Sequence, residues 1–127
     1  MKKKIKGLWF IGLAGTGKTY ASNYFSKKIR SSIIIDGDVV RKYVSFDLGY
    51  GTNDRKKQIK RMLGIALICI KSKKFPIIST VYMNNETYLK AKNYGIEIIK
   101  IERKMSYLKK IRKLYKDQKN VVSKDIH

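Results

Sequence analysis

The stretch that most limits how this chain can fold is residues 12–19, G-L-A-G-T-G-K-T. It fits the pattern G-x-x-x-x-G-K-[ST], in which glycines allow positive φ angles and a close approach of backbone N–H groups to an anion. The pattern needs a strand before it and a helix after it. Leu8–Ile11 is typical of a short strand, and Lys18–Arg30 carries apolar residues at helical spacing. The sequence therefore predicts a phosphate-binding strand–loop–helix unit, whereas the alternative is a glycine-rich turn in an unrelated α/β domain.

Each position of this loop has a predicted role in binding a nucleoside triphosphate. Lys18 would contact the β- and γ-phosphates, and the Thr19 hydroxyl would hold Mg²⁺. We therefore expect ATP as a ligand and Mg²⁺ with ATP as the cofactor. The residues whose backbone would wrap the phosphates are Gly12, Leu13, Ala14, Gly15, Thr16 and Gly17.

The composition allows one small domain with a strongly basic surface. The chain has 127 residues, of which 43% are hydrophobic, and a formal net charge of +21. Such a charge is typical of nucleic-acid binding or of a lysine-rich surface that attracts polyphosphates. Because the lysines are spread along the chain rather than gathered in one tract, we favour the second interpretation and expect no specific nucleic-acid partner.

The single cysteine and the N-terminus bear on the compartment. Cys69 lies in an apolar run and is predicted to be a buried structural thiol. Because it is the single cysteine of the chain, no disulfide can form within it. Lysines before Leu8 resemble the start of a signal peptide, but cleavage there would destroy the loop, so we interpret Leu8–Ile11 as the first strand. No run approaches the roughly 18 apolar residues of a membrane helix. We expect a cytoplasmic protein with no membrane partner.

Beyond the loop, strand patterns alternate with helix patterns, which predicts an α/β fold with a mostly parallel sheet and helices on both faces. The predicted strands are Leu8–Ile11, a buried Ser32–Ile35, Phe75–Thr80 and Ile96–Ile101. The predicted helices are Lys18–Arg30, one capped by Asn53 or Asp54 that runs to about Ser72, one capped by Asn84 or Asn85 that runs to Asn93, and a basic one from Ser106 to about Lys116. Residues 120–127 are predicted to be a tail. We expect residues 1–127 to form a single P-loop kinase domain.

Two carboxylates follow the second predicted strand. Asp36 and Asp38 would lie at the carboxyl end of a parallel sheet, where such sheets place ligands. One carboxylate near Mg²⁺ and one near an acceptor hydroxyl is a workable kinase arrangement. The alternative is a tight Asp-Gly turn with capping acids, and the residues alone leave both interpretations open.

Three ordered blocks resemble the adenylylsulfate kinase family, whose members transfer the γ-phosphoryl group of ATP to the 3′-hydroxyl of adenylylsulfate. The family patterns are W-[FL]-T-G-L-S-G-S-G-K-[ST], L-D-G-D-N-[VI]-R and L-G-[FY]-S-x-x-D-R-x-x-N-I-R-R. Their counterparts here lie in Gly7–Thr19, Ile35–Arg41 and Leu48–Arg61. The resemblance is strong to Arg61 and weaker to about Ile126, where Leu114–Lys116 resembles the family's lid.

The resemblance implies roles for the site residues. Lys18, Asp36 and Asp38 would be catalytic, with Thr19 and Asp36 on the metal side and either acid as the base. Arg41 and Arg55 would bind the 5′ anionic groups of a nucleotide acceptor, and Tyr50 would stack on its base. The remaining implied acceptor contacts are Gln58, Thr80 and Tyr82.

The chain departs from the family pattern in ways that keep the acceptor open. Ser79–Asn84 lacks the proline and arginine of the family's I-S-P-Y-R segment, and the nearest replacement cations by motif are Lys60 and Arg61. We also expect the chain to lack the family's usual C-terminal segment. Adenylylsulfate is the leading acceptor, in sulfate activation. The alternatives are cytidine diphosphoramidate in capsule modification, a non-catalytic basic P-loop protein that binds nucleotides or nucleic acid, and an inactive paralogue. A homodimer is a further expectation.

Overall fold

The computed structural model describes residues 4–13 and 15–102, and within them one parallel sheet forms the centre of the fold. Its strands lie in the order β2-β3-β1-β4, and every described strand pair is parallel. The bounds are β1 (Gly7–Ile11), β2 (Ser32–Asp36), β3 (Phe75–Thr80) and β4 (Ile96–Lys100). The predicted parallel sheet is confirmed. The predicted helix from Ser106, the lid-like Leu114–Lys116, the tail and Ala14 lie outside the described residues.

The helices of the described chain are α1 (Lys18–Lys28), α2 (Gly37–Tyr43), α3 (Thr52–Lys71) and α4 (Asn85–Asn93). Asn84 caps α4 as predicted, because its side chain accepts a hydrogen bond of 2.9 Å from the Thr87 N–H. The predicted cap of α3 by Asn53 or Asp54 is wrong, since the helix begins after Gly51 without a side-chain cap. No helix of the described chain combines the length and the apolar character that a membrane crossing requires.

Side chains alternate along β1 and bury both faces of the sheet, as expected for a central parallel strand. Leu8 and Phe10 pack with Phe25 of α1 and Ile77 of β3 on one face. Trp9 points to the other face, where helices α2, α3 and α4 contribute to a second core cluster. Helices therefore cover both faces, which confirms that part of the prediction. Cys69 belongs to the second cluster and is buried, as predicted.

Strand β2 differs from the sequence prediction. It was expected to be buried, but Ile33 and Ile34 are 39% and 41% exposed, and Ile35 is the buried isoleucine of the strand. The reason is its place at the edge of the described sheet, where it pairs with β3 alone. An edge strand has one neighbour and less cover, so the same apolar sequence stays half exposed.

Candidate active site

The loop between β1 and α1 is built for close approach of backbone to ligand. A Cβ atom on Gly12 would lie 2.5 Å from the Ile101 carbonyl oxygen and 2.7 Å from the Thr16 hydroxyl oxygen. Gly15 and Gly17 have φ angles of 83° and 101°, which side chains disfavour. Gly17 is also the N-cap of α1, so the helix begins directly at the loop. The loop thus presents N–H groups and the positive end of a helix to the same space.

Lys18 is anchored at this loop by backbone carbonyl groups. Its Nζ donates hydrogen bonds to the Gly12 carbonyl and, at 3.1 Å, to the Leu13 carbonyl. Burial lowers the pKa of Lys18, while the charges of Asp36 and Asp38 act in the opposite direction. The ammonium group therefore lies within reach of the acids' electrostatic field and beside the phosphate-binding backbone.

A cleft of about 610 Å³ joins the loop to the two acids. We call it the phosphate cleft. The predicted site residues that line it are Gly15, Gly17, Lys18, Thr19, Asp36 and Asp38, with Thr80 at its border. The sequence prediction that the acids face the loop across the sheet edge is confirmed by this shared cleft.

The two acids have different surroundings. Asp36 caps α2: its Oδ2 accepts hydrogen bonds from the N–H groups of Asp38 and Val39 at 3.1 and 3.3 Å. Its Oδ1 accepts one from the Ser79 hydroxyl at 3.2 Å. Asp38 is exposed, and no residue in the described ranges donates a hydrogen bond to its carboxylate. Asp36 therefore holds the local structure, whereas the carboxylate of Asp38 is available for chemistry.

A second cavity, of about 150 Å³, lies beside the phosphate cleft, and we call it the side cavity. Every residue predicted to contact an acceptor lines it: Arg41, Tyr50, Arg55, Gln58, Thr80 and Tyr82. These residues come from α2, α3, β3 and the loops that follow α2 and β3. Asp38 lines both the side cavity and the phosphate cleft, so it lies where the two meet.

Arg41 and Tyr50 lie against each other at the wall of the side cavity. The Arg41 guanidinium carbon lies 4.1 Å from the centroid of the Tyr50 ring, and its Nη1 donates a 2.8 Å hydrogen bond to the Gly49 carbonyl. The Gly49 N–H in turn donates a 2.8 Å hydrogen bond to Asp54 Oδ2. Asp54, one of the two residues expected to cap α3, therefore binds the preceding loop instead. These contacts fix the loop between α2 and α3 to both helices.

The replacement cations suggested by the motif do not line the side cavity. Arg61 instead donates two hydrogen bonds, of 2.7 and 3.0 Å, to Asp47, and Lys60 lines other grooves. Among the described residues, the cationic side chains that line the side cavity are those of Arg41 and Arg55. The expectation that Lys60 or Arg61 supplies the missing contact is therefore not supported by their positions.

Trp9 is a site-supporting residue that sequence reasoning missed. Its ring N–H donates a buried 2.9 Å hydrogen bond to the Thr80 hydroxyl, which itself donates to the Tyr82 carbonyl at 2.9 Å. Thr80 is 7% exposed, so its hydroxyl mainly fixes the chain at the end of β3. The available signal was the tryptophan of the family pattern, but its role depends on the β1–β3 register.

Comparison with known proteins identifies a family whose sequences this chain resembles. The sequence matches the family described as Adenylylsulphate kinase over residues 4–121. The adenylyl-sulfate kinase of Erwinia tasmaniensis is 36% identical over 67 residues, which cover 50% of this chain and 33% of that protein. The enzyme of that name from Bacillus velezensis is 32% identical over 74 residues, covering 55% and 38%. The chain thus matches less than two fifths of the length of either relative.

A solved structure shares the fold. It is that of the Mycobacterium tuberculosis APS kinase CysC in complex with AMPPNP and APS. The TM-score is 0.61 at 22% sequence identity, and the superposition covers 80% of this chain and 63% of that one. At this identity the likeness supports the fold class, a P-loop kinase sheet with helices on both faces.

Proposed function

The chain belongs to the adenylylsulphate kinase family, and from that premise we propose that it transfers the γ-phosphoryl group of ATP to the ribose 3′-hydroxyl of a nucleotide, with adenylylsulfate as the leading acceptor. The observation that carries the proposal is the position of Asp38. Its carboxylate lies between a cleft that contains the phosphate loop and a cavity lined by all six residues implied to contact an acceptor. A phosphoryl donor and a hydroxyl acceptor would meet at this acid.

The phosphate cleft fits Mg-ATP in the chemistry of its side chains. Mg²⁺ prefers hard oxygen ligands and is commonly held by one or two protein groups together with substrate phosphates. Thr19 and Asp36 offer such oxygens at the cleft, and we propose that they hold the metal. Asp36 accepts three hydrogen bonds, so about one of its roughly four lone-pair sites stays free. Bound there, Mg²⁺ would neutralise charge on the β- and γ-phosphates.

Asp38 is suited to act as the general base. Its carboxylate would accept the proton of the 3′-hydroxyl as the hydroxyl oxygen bonds to the γ-phosphorus. The bond from the γ-phosphorus to the bridging oxygen breaks, and ADP leaves with that electron pair. Lys18 would neutralise the charge on the transferring group, while Arg41 and Arg55 would hold the acceptor's anionic groups.

A second acceptor class is supported by the cations of the side cavity. Of the residues described, Arg41 and Arg55 supply its positive charge, and Lys60 and Arg61 lie elsewhere. The arginine of the family's I-S-P-Y-R segment is absent here. Losing one guanidinium contact to an anionic acceptor costs about 1.5–3 kcal/mol, or roughly ten- to a hundredfold in affinity for that acceptor. A capped nucleotide with a less anionic end, such as cytidine diphosphoramidate, is therefore the alternative acceptor. A non-catalytic role in binding nucleic acid rests on the charge of +21 alone, and a homodimer stays a prediction.

One experiment tests the function and the roles of the two acids. The protein is incubated with γ-labelled ATP and a panel of nucleotides, including both acceptors, and the products are identified by mass. Lys18→Ala should lower turnover by about 10²-fold or more. Asp38→Asn should abolish transfer without changing the unfolding midpoint, because the carboxylate accepts no described hydrogen bond. Asp36→Ala should lower transfer through the lost metal ligand and should, unlike Asp38→Asn, also cost about 1 kcal/mol of stability through the lost cap. Wild-type turnover in Lys18→Ala or Asp38→Asn would refute the proposal.

A further inference from the structure

At the boundary of the side cavity, one end of the Gln58 amide is hydrogen-bonded and the other end is not. Gln58 lies in α3, is 4% exposed, and donates a 3.2 Å hydrogen bond from Nε2 to the Gly37 carbonyl oxygen. Gly37 is the residue between Asp36 and Asp38. The bond defines the amide orientation, because the flipped amide would place its oxygen against the carbonyl oxygen of Gly37. The other end, Oε1, is buried and has no donor among the described residues.

A buried carbonyl oxygen without a donor destabilises a folded protein. An apolar side chain of similar length, such as methionine, would fill the same space without that penalty. Gln58 is therefore poorly explained by packing alone. Its neighbours Ile59 and Met62 are buried core residues, so the segment of α3 that carries Gln58 is firmly packed on the sheet.

Helix α2 has few other restraints at its start. It has seven residues, and Asp38 lies in its first turn. Its first N–H groups are held by Asp36, which is in turn held by Ser79. The bond from Gln58 connects this turn to the 20-residue helix α3 on the opposite side. The turn that carries the acid is thus fixed from two directions, by β3 and by α3.

We propose that Gln58 is a positioning residue that holds the Asp36–Asp38 turn and so places the Asp38 carboxylate between the phosphate cleft and the side cavity. The inference rests on the proposed phosphoryl transfer. Proton removal from an acceptor hydroxyl depends on the base lying at hydrogen-bond distance, and a displacement of about 1 Å can cost on the order of a hundredfold in rate. Gln58 acts through the Gly37 carbonyl rather than on the reacting atoms.

A positioning role and a direct acceptor contact make different kinetic predictions. In Gln58→Met, both amide atoms are lost while side-chain length is kept. Positioning predicts that kcat falls about tenfold or more, that the KM values for ATP and acceptor stay within about twofold, and that the unfolding midpoint is unchanged or higher. Gln58→Glu keeps acceptor oxygens but loses the donor to Gly37, so it should lose kcat as well. A direct contact through Oε1 instead predicts a raised acceptor KM in the Met variant with little change in kcat.

Amide hydrogen exchange supplies a readout that does not depend on catalysis. Exchange at the N–H groups of Asp38 and Val39 should become faster in Gln58→Met, because the first turn of α2 loses one of its restraints. Lys56→Met, an exposed change on the same helix, is the matched control and should alter neither exchange nor kinetics. Faster exchange together with a selective loss of kcat supports the inference. A wild-type kcat in the Met variant overturns it, as does an effect confined to acceptor KM. Failure of the wild-type protein to phosphorylate any nucleotide would instead count against the proposed function.

Discussion

Replacing single glycines by alanine separates two physical reasons for glycine in the phosphate loop. At Gly12 the reason is space, because the added Cβ would lie 2.5 Å from the Ile101 carbonyl oxygen. That carbonyl cannot move easily, since the Ile101 N–H donates a 2.7 Å hydrogen bond to the Ile11 carbonyl at the end of β1. At Gly15 the reason is conformation: nothing lies within 4 Å of the added atom, but φ is 83°. Gly64, within α3, has neither restriction and serves as the control.

The changes in the free energy of unfolding that we expect for the three variants differ in sign as well as in size. Overpacking against a fixed carbonyl should make Gly12→Ala less stable by about 2–3 kcal/mol. The left-handed backbone should make Gly15→Ala less stable by about 1–2 kcal/mol. Gly64→Ala should be more stable by about 0.5–1 kcal/mol, because alanine has the higher helix propensity and restricts the unfolded chain. From the most to the least stable, the expected order is then Gly64→Ala, wild type, Gly15→Ala and Gly12→Ala.

Urea unfolding monitored by circular dichroism would measure this order, and ATP binding by calorimetry would measure the loop directly. Gly12→Ala and Gly15→Ala should both weaken ATP binding, whereas Gly64→Ala should leave it unchanged. Each kcal/mol corresponds to a few degrees in unfolding midpoint for a domain of this size. A Gly12→Ala variant as stable as the wild type would refute the reasoning, since the structure leaves no space for the added methyl group.

Two further predictions concern titratable groups. Arg61 holds the pKa of the Asp47 carboxyl below its usual 3.8. A carboxyl group with a lower pKa in the folded state stabilises the fold at pH values above its unfolded-state pKa, and this stabilisation is lost as the pH falls through the folded-state pKa. The small stability difference between wild type and Asp47→Asn should therefore hold from neutral pH to about 4 and vanish below it, so a gap that persists at about pH 2 contradicts this account. Burial raises the pKa of the Cys69 thiol, so iodoacetamide should react slowly with the folded protein and rapidly in urea. Equal rates would mean that Cys69 is accessible in the native state.

The sequence predicted those features that depend on local pattern. The β1–loop–α1 unit follows from the glycine spacing and from alternating apolar residues, and Phe75–Thr80 was predicted with the bounds that the structure has. Helix α2 was missed because Asp-Gly-Asp is typical of turns, whereas in the structure the Asp36 side chain caps a helix that starts there. The exposure of Ile33 and Ile34 was missed because an apolar strand reads alike at the centre and the edge of a sheet.

The strand order explains why the site lies where it does. The chain passes from β1 through α1 to β2 but leaves room for β3 between them, so the phosphate loop and the acids lie two strand spacings apart, about 10 Å. Among the described residues Lys18 forms no ion pair with Asp36 or Asp38, because its Nζ is held by carbonyl groups of the loop, and the charges of the two acids only partly offset the lowering of its pKa by burial. Opposite charges that are separated in this way attract an anion to the loop side and a cation or a proton to the acid side. In the proposed reaction a phosphoryl group with its metal would lie between them, and Ser79 and Thr80 at the end of β3 line that gap. In open parallel sheets, ligands bind where neighbouring strands send their helices to opposite faces, as β1 does with α1 and β3 with α4.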